Sequence, residues 1–79
     1  MEEIPYKGYL IEATPDQLAD LMKWTLHLYI FRHSGGGVRS KDFSARNIFD
    51  TEEEAAAACV DFGKRIIDGE IEGCTVDDL

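Results

Sequence analysis

Lys23-Trp-Thr-Leu-His-Leu-Tyr-Ile-Phe-Arg-His33 is the longest stretch of the chain with two-residue alternation and neither glycine nor proline. Strand side chains point to opposite faces in turn. Read as a strand, the stretch sets Trp24, Leu26, Leu28 and Ile30 on one wholly apolar face. Thr25, His27, Tyr29 and Phe31 lie on the other, polar at one end and aromatic at the other. The first face is core; the second carries more apolar surface than a solvated strand needs. This strand is the centre of a small sheet, and the remaining segments are read by how they would pack against it.

Tyr6–Ala13 reads as a first strand, rich in β-formers and ended by Thr14-Pro15, with either Tyr9 and Ile11 or Tyr6 and Leu10 inward, the first pair preferred, and Gly8 marking a bulge or close backbone approach. Thr14-Pro15-Asp16-Gln17 has the pattern of a capped helix start. Leu18, Leu21 and Met22 follow at helical spacing, which predicts a short helical turn packed at the edge of the core. His33-Ser-Gly-Gly-Gly-Val38 is a hairpin loop. It leads into a third strand over about 38–49, with Phe43, Ala45 and Phe49 inward and Ser44, Arg46 and Ile48 outward.

Asp50-Thr51-Glu-Glu-Glu54 places an N-cap threonine three residues before a glutamate and three acids in the first helical turn. A helix over about 52–68 follows, stopped by Gly69. Its alanines and Gly63 let it lie close to the sheet, with Phe62 and Ile66 supplying bulk and Cys59 at the centre of the buried arc. That arc is wider than a sheet alone covers, so Ile71, Val76 and Leu79 of the acidic tail 70–79, or another subunit, should pack on its flank. The whole of 1–79 is one α+β domain: a three-stranded antiparallel β-meander (strands 6–13, 23–33 and 38–49) with one C-terminal α-helix on one face, βββα. The pattern Tyr6-x-Gly8-Tyr9-x-Ile11, with Trp24, Phe43, Phe49-x-Thr51-x-x-Glu54-Ala55 and Ile67-Asp68-Gly69, resembles a family of short uncharacterised bacterial βββα domains. The resemblance covers most of the chain. It implies the fold and no activity.

The formal charge is −8 and is distributed unevenly. Residues 32–46 carry Arg32, Arg39, Lys41 and Arg46 against Asp42, while the chain from 47 onward holds ten acids against Lys64 and Arg65. A basic hairpin on an acidic body is a poor general nucleic-acid binder. The acidic start has no apolar leader and no stretch is long enough to span a membrane, so the chain is expected in the cytoplasm without membrane partners. Cys59 and Cys74 are expected to be free thiols.

Chemistry-bearing patterns are weak. His27, His33, Cys59 and Cys74 lack the spacing of a zinc motif, and Asp68-Gly-Glu-Ile-Glu-Gly73 lacks the ligand ladder of a calcium loop. The glycine run joins two predicted strands and lacks the lysine of a phosphate loop. A mid-helix Cys59 and a Cys74 among acids both oppose thiolate chemistry. No metal, no cofactor and no enzymatic activity is therefore expected.

What stays open is the outward face of the central strand and the basic hairpin: His27, Tyr29, Phe31, Arg32, Arg39, Lys41 and Arg46. Tyrosine and arginine are enriched at interface hot spots. These residues suit a protein-interaction or regulatory module, with a protein partner or a second copy of the chain as its ligand. The alternative is a nucleic-acid-binding module using the basic hairpin 32–46. A third reading has the tail cover Tyr29 and Phe31 within the chain.

Overall fold

In the computed structural model, which describes residues 3–79, the chain forms five strands and one helix. The strands are β1 (Glu3–Tyr6), β2 (Tyr9–Ala13), β3 (Gln17–Leu18), β4 (Lys23–Ser34) and β5 (Gly37–Phe49), followed by α1 (Glu52–Ile67). All belong to one antiparallel sheet, in which β4 is central: β2 and β3 pair along one of its edges, β5 pairs along the other, and β1 lies outside β2. The class is α+β with a C-terminal helix, as expected, but the three-stranded βββα meander is incorrect. Two local misreadings account for the difference.

The first concerns the predicted strand 6–13, which is interrupted by a turn. Lys7 and Gly8 both have positive φ, +49° and +86°. That pair is what a two-residue type I′ hairpin turn requires. Gly8 is thus a turn residue and not a bulge, and the chain before it returns as β1 with Ile4 opposite Ile11 and Tyr6 opposite Tyr9. Pro5 is accommodated because β1 is an edge strand, where a missing N–H breaks no ladder.

The second concerns the predicted helical turn after Thr14. Two turns of helix are marginal without tertiary support, whereas β4 offers an edge of unsatisfied backbone groups. The chain takes the edge. The Thr14 N–H donates to the His27 carbonyl at 2.9 Å and the Thr25 N–H to the Asp16 carbonyl at 2.7 Å, and Gln17 and Leu18 pair with Trp24 and Lys23 as β3. A tight turn closed by the Met22 N–H on the Leu18 carbonyl, with Met22 at φ +53°, leads back into β4. Leu21 and Met22 are accordingly exposed, 58% and 68%, and do not line the core.

The remaining elements form close to where the pattern places them. Ile11 of β2, Leu26, Leu28 and Ile30 of β4 and Phe43 of β5 are buried on one face of the sheet, against Ala55, Cys59 and Ile66 of α1. Tyr9 packs on the edge of this core, and Trp24 is half-buried. The Thr51 hydroxyl accepts the Glu54 N–H at 3.1 Å, which satisfies one orphan donor of the helix start. At the other end Gly69 (φ +79°) follows the cap, with its N–H on the Ile66 carbonyl and the Glu70 N–H on the Arg65 carbonyl, the paired bonds of a Schellman ending. A Cβ placed on Gly63 would stand 2.9 Å from Ile11 Cγ2 and 3.1 Å from Leu28 Cδ1, so glycine sets how closely helix and sheet approach. Phe62 is half-buried, beside a shallow groove shared with Leu26, Phe49 and Ile71; the central bulk comes from Ile66.

The tail does pack on the core. Val76 is buried, and Ile71, Cys74 and Leu79 lie half-buried against the same cluster. The Cα envelope of 43 × 25 × 16 Å has a short axis that fits a sheet and one covering layer about 10 Å apart.

The β1–β2 turn is tied to the helix end by side chains. Asp68 accepts from Lys7 at 2.5 Å and from the Tyr6 hydroxyl at 2.7 Å. The lysine contact first, then the tyrosine, holds the Asp68 carboxyl below its ordinary value. A carboxyl with a depressed folded-state pKa contributes stability above its unfolded value of about 3.9, and loses that contribution as pH falls through the folded value. The stability difference between wild type and Asp68→Asn is therefore expected to be largest at neutral pH and to shrink steadily below about pH 4. Urea titrations across that range check it; a pH-independent difference would contradict the assignment.

Candidate functional site

The seven residues singled out from sequence divide between the two faces of the sheet. His27, Tyr29 and Phe31 occupy alternate positions of β4 on the face opposite α1, and all three are half-buried. The rings form a continuous row: His27 meets Tyr29 edge-on with centroids 5.2 Å apart, and Tyr29 stacks on Phe31 at 5.9 Å. Arg46 is exposed, on the same face by alternation with Ser44 and Ile48, next to the irregularity in the β4–β5 ladder.

Arg32, Arg39 and Lys41 are on the other side. In the ladder Lys41 is opposite the buried Ile30, and Arg39 is opposite Arg32 two positions further out. All three share the helix-side face, and the tail meets them there. Arg32 donates to the Leu79 main-chain oxygen at 3.1 Å, Arg39 to the Asp78 carbonyl at 3.5 Å, and Lys41 to the Thr75 carbonyl and the Asp78 carboxylate, both at 3.2 Å. The Lys41 hydrogen bond holds the Asp78 carboxyl below its ordinary value. The basic hairpin is thus partnered by the chain's own acidic tail. The same geometry answers whether the tail covers Tyr29 and Phe31: it lies on the opposite face.

The open face can be read row by row across the strands. Glu12 of β2 and Asp42 of β5 stand directly opposite Tyr29, one on each side, and Glu3 of β1 is opposite Glu12. In the next row Leu10 and Ser40 flank Phe31, and Pro5 lies beyond Leu10. At the other end the Thr14 hydroxyl is 2.7 Å from His27 Nδ1 and 3.2 Å from the His27 carbonyl, while His27 Nε2 is 3.3 Å from Asp42. Thr14, expected to cap a helix, instead orients the imidazole. Sequence reading missed Glu12, Leu10 and Thr14 as members of this face. The signal existed, because inward Tyr9 and Ile11 force Leu10 and Glu12 outward.

Cys59 is fully buried, its thiol donates to the His27 carbonyl at 3.1 Å, and burial pushes its pKa up, away from thiolate character. Neither cysteine is in a disulfide. Among the described residues no three His, Cys, Asp or Glu side chains converge on a metal-sized site, since Tyr29 separates Glu12 from Asp42. No helix among them is long and apolar enough to cross a membrane.

No family model, curated protein or solved structure matches the chain.

Proposed function

We propose that this chain is a small protein-interaction module whose contact surface is the open sheet face centred on Tyr29 and Phe31. One observation carries the reading. Both α1 and the tail pack on the other side of the sheet, so among the described residues the stacked aromatic row has no covering layer. Aromatic rings at the centre of a patch with polar neighbours are the usual composition of an interface anchor. Ser40, Asp42, Ser44 and Glu12 supply such a rim here. The two unpaired thiols support a cytoplasmic setting.

The nucleic-acid alternative loses its main support, because the aromatic groups and three of the four cations lie on opposite faces and those three are engaged by the tail. Carboxylates on both sides of Tyr29 would repel a phosphate backbone.

The test compares wild type with Tyr29→Thr/Phe31→Thr, which keeps β-branched residues on the strand while removing the rings. Immobilised wild-type protein is expected to retain a discrete set of polypeptides from a cell extract that the variant fails to retain. Identical sets on both would contradict the assignment of this face.

A further inference from the structure

The open face is anionic where it is aromatic. Glu12 and Asp42 flank Tyr29 on the two neighbouring strands. At an inter-strand spacing near 4.8 Å they stand about 10 Å apart with the ring between them. Among the described residues no lysine or arginine is within ion-pair distance of Glu12 or Glu3, and Asp42 reaches only His27. Like charges directly opposite on paired strands are unfavourable. The Glu3–Glu12 pair is therefore a feature that folding does not explain.

We propose that the partner of this face is a cationic amphipathic α-helix lying along β4. Its apolar stripe seats on Tyr29, Phe31 and Leu10. Lysines or arginines on both flanks of the stripe meet Glu12 on one side and Asp42 on the other. This deepens the reading of the open face as a contact surface and rests on it.

Three physical points select that partner. The backbone groups beneath Tyr29 and Phe31 are spent in ladders with β2 and β5, so the face offers side chains only. An extended segment laid on it would leave its own N–H and C=O groups unsatisfied, whereas a helix satisfies them internally. Alternate residues of β4 are about 6.6 Å apart, close to the roughly 6 Å rise between positions i and i+4 of a helix. Leucines at that spacing register with Phe31, Tyr29 and the edge of His27. A second copy of this chain is a poor occupant: its open face is equally acidic and, among the described residues, offers Arg46 as its one cation outside an ion pair, while its Arg32, Arg39 and Lys41 are held by its own tail.

The probe is a synthetic helix-forming peptide of about 18 residues, long enough to be marginally helical alone, with a leucine stripe flanked on both sides by lysine. A companion peptide replaces every lysine with glutamate. Fluorescence anisotropy at physiological salt and far-ultraviolet circular dichroism read binding and helix formation against wild type, Glu12→Gln/Asp42→Asn and Tyr29→Thr/Phe31→Thr, each first shown to melt cooperatively. The lysine peptide is expected to bind wild type with a gain in helicity. Affinity should fall about fivefold or more on Glu12→Gln/Asp42→Asn, binding should be lost on the ring-less variant, and the glutamate peptide should not bind. Equal binding of both peptides, abolished only by removing the rings, would overturn the cationic partner while leaving the contact face in place. Lysine-peptide binding that survives removal of the rings would assign the attraction to the acidic body elsewhere and overturn the proposal. Binding without a helicity gain would overturn the helical partner, and no binding of either peptide would overturn the cationic helical partner while leaving the contact face to the capture test.

Discussion

Replacing Leu28 with alanine is expected to lower stability by about 3 to 4 kcal/mol. Leu28 is fully buried on the central strand, opposite Ala13 of β2 and Phe43 of β5, and its Cδ1 reaches the helix at Gly63. Truncation there removes transfer free energy and leaves a cavity that sheet and helix cannot both collapse into. A domain of this size has a total stability of about 4 to 12 kcal/mol. The loss therefore lowers the melting temperature by on the order of 15 °C. Thermal and urea unfolding check it, and a shift of only a few degrees would show that the helix does not seat on β4.

The second large effect comes from the opposite change at the same contact. Gly63→Ala introduces a Cβ at 2.9 Å from Ile11 Cγ2, deep in a fully buried site, so the neighbour has to shift. Alanine regains about 1 kcal/mol of helix propensity, which offsets much of the overpacking. Gly63→Val adds two further carbons and regains less, and is expected to destabilise by about 3 kcal/mol. Because Leu28 Cδ1 is the other near neighbour, at 3.1 Å, the pair Gly63→Val with Leu28→Ala should lose less than the sum of the single losses. A double-mutant cycle measures the coupling; strict additivity would mean that the two residues do not share the contact.

Elements specified by long-period patterns were legible in the sequence. Alternation over Lys23–His33 identified β4 and its buried face, and the Thr51 cap, the alanine run and Gly69 identified α1 nearly to the residue. The misread segments are those whose local signal is short and whose outcome depends on a neighbour. Thr14-Pro15-Asp16-Gln17 is a sound helix start in isolation, but the edge of β4 satisfies the same backbone groups without a costly helix nucleus. Lys7-Gly8 turns the chain although lysine is not a residue that announces positive φ.

The candidate site was half legible. Alternation placed His27, Tyr29 and Phe31 on one face, but the basic residues were grouped with them by proximity in sequence. The ladder places Lys41 opposite Ile30, and hence Arg32, Arg39 and Lys41 on the helix side, where the path of the tail decides their partners. That path follows from Val76 entering the core, a long-range contact with no periodic signature.

The proposal that Tyr29 and Phe31 serve a contact and not the core is read out by melting Tyr29→Thr/Phe31→Thr beside Leu28→Ala. Two cross-strand contacts on a face without a covering layer contribute about 0.2 to 1 kcal/mol each. The double variant is therefore expected to melt cooperatively, well above the single core variant. A double variant as destabilised as Leu28→Ala, or more so, would show that the aromatic row holds the fold together and would contradict the claim.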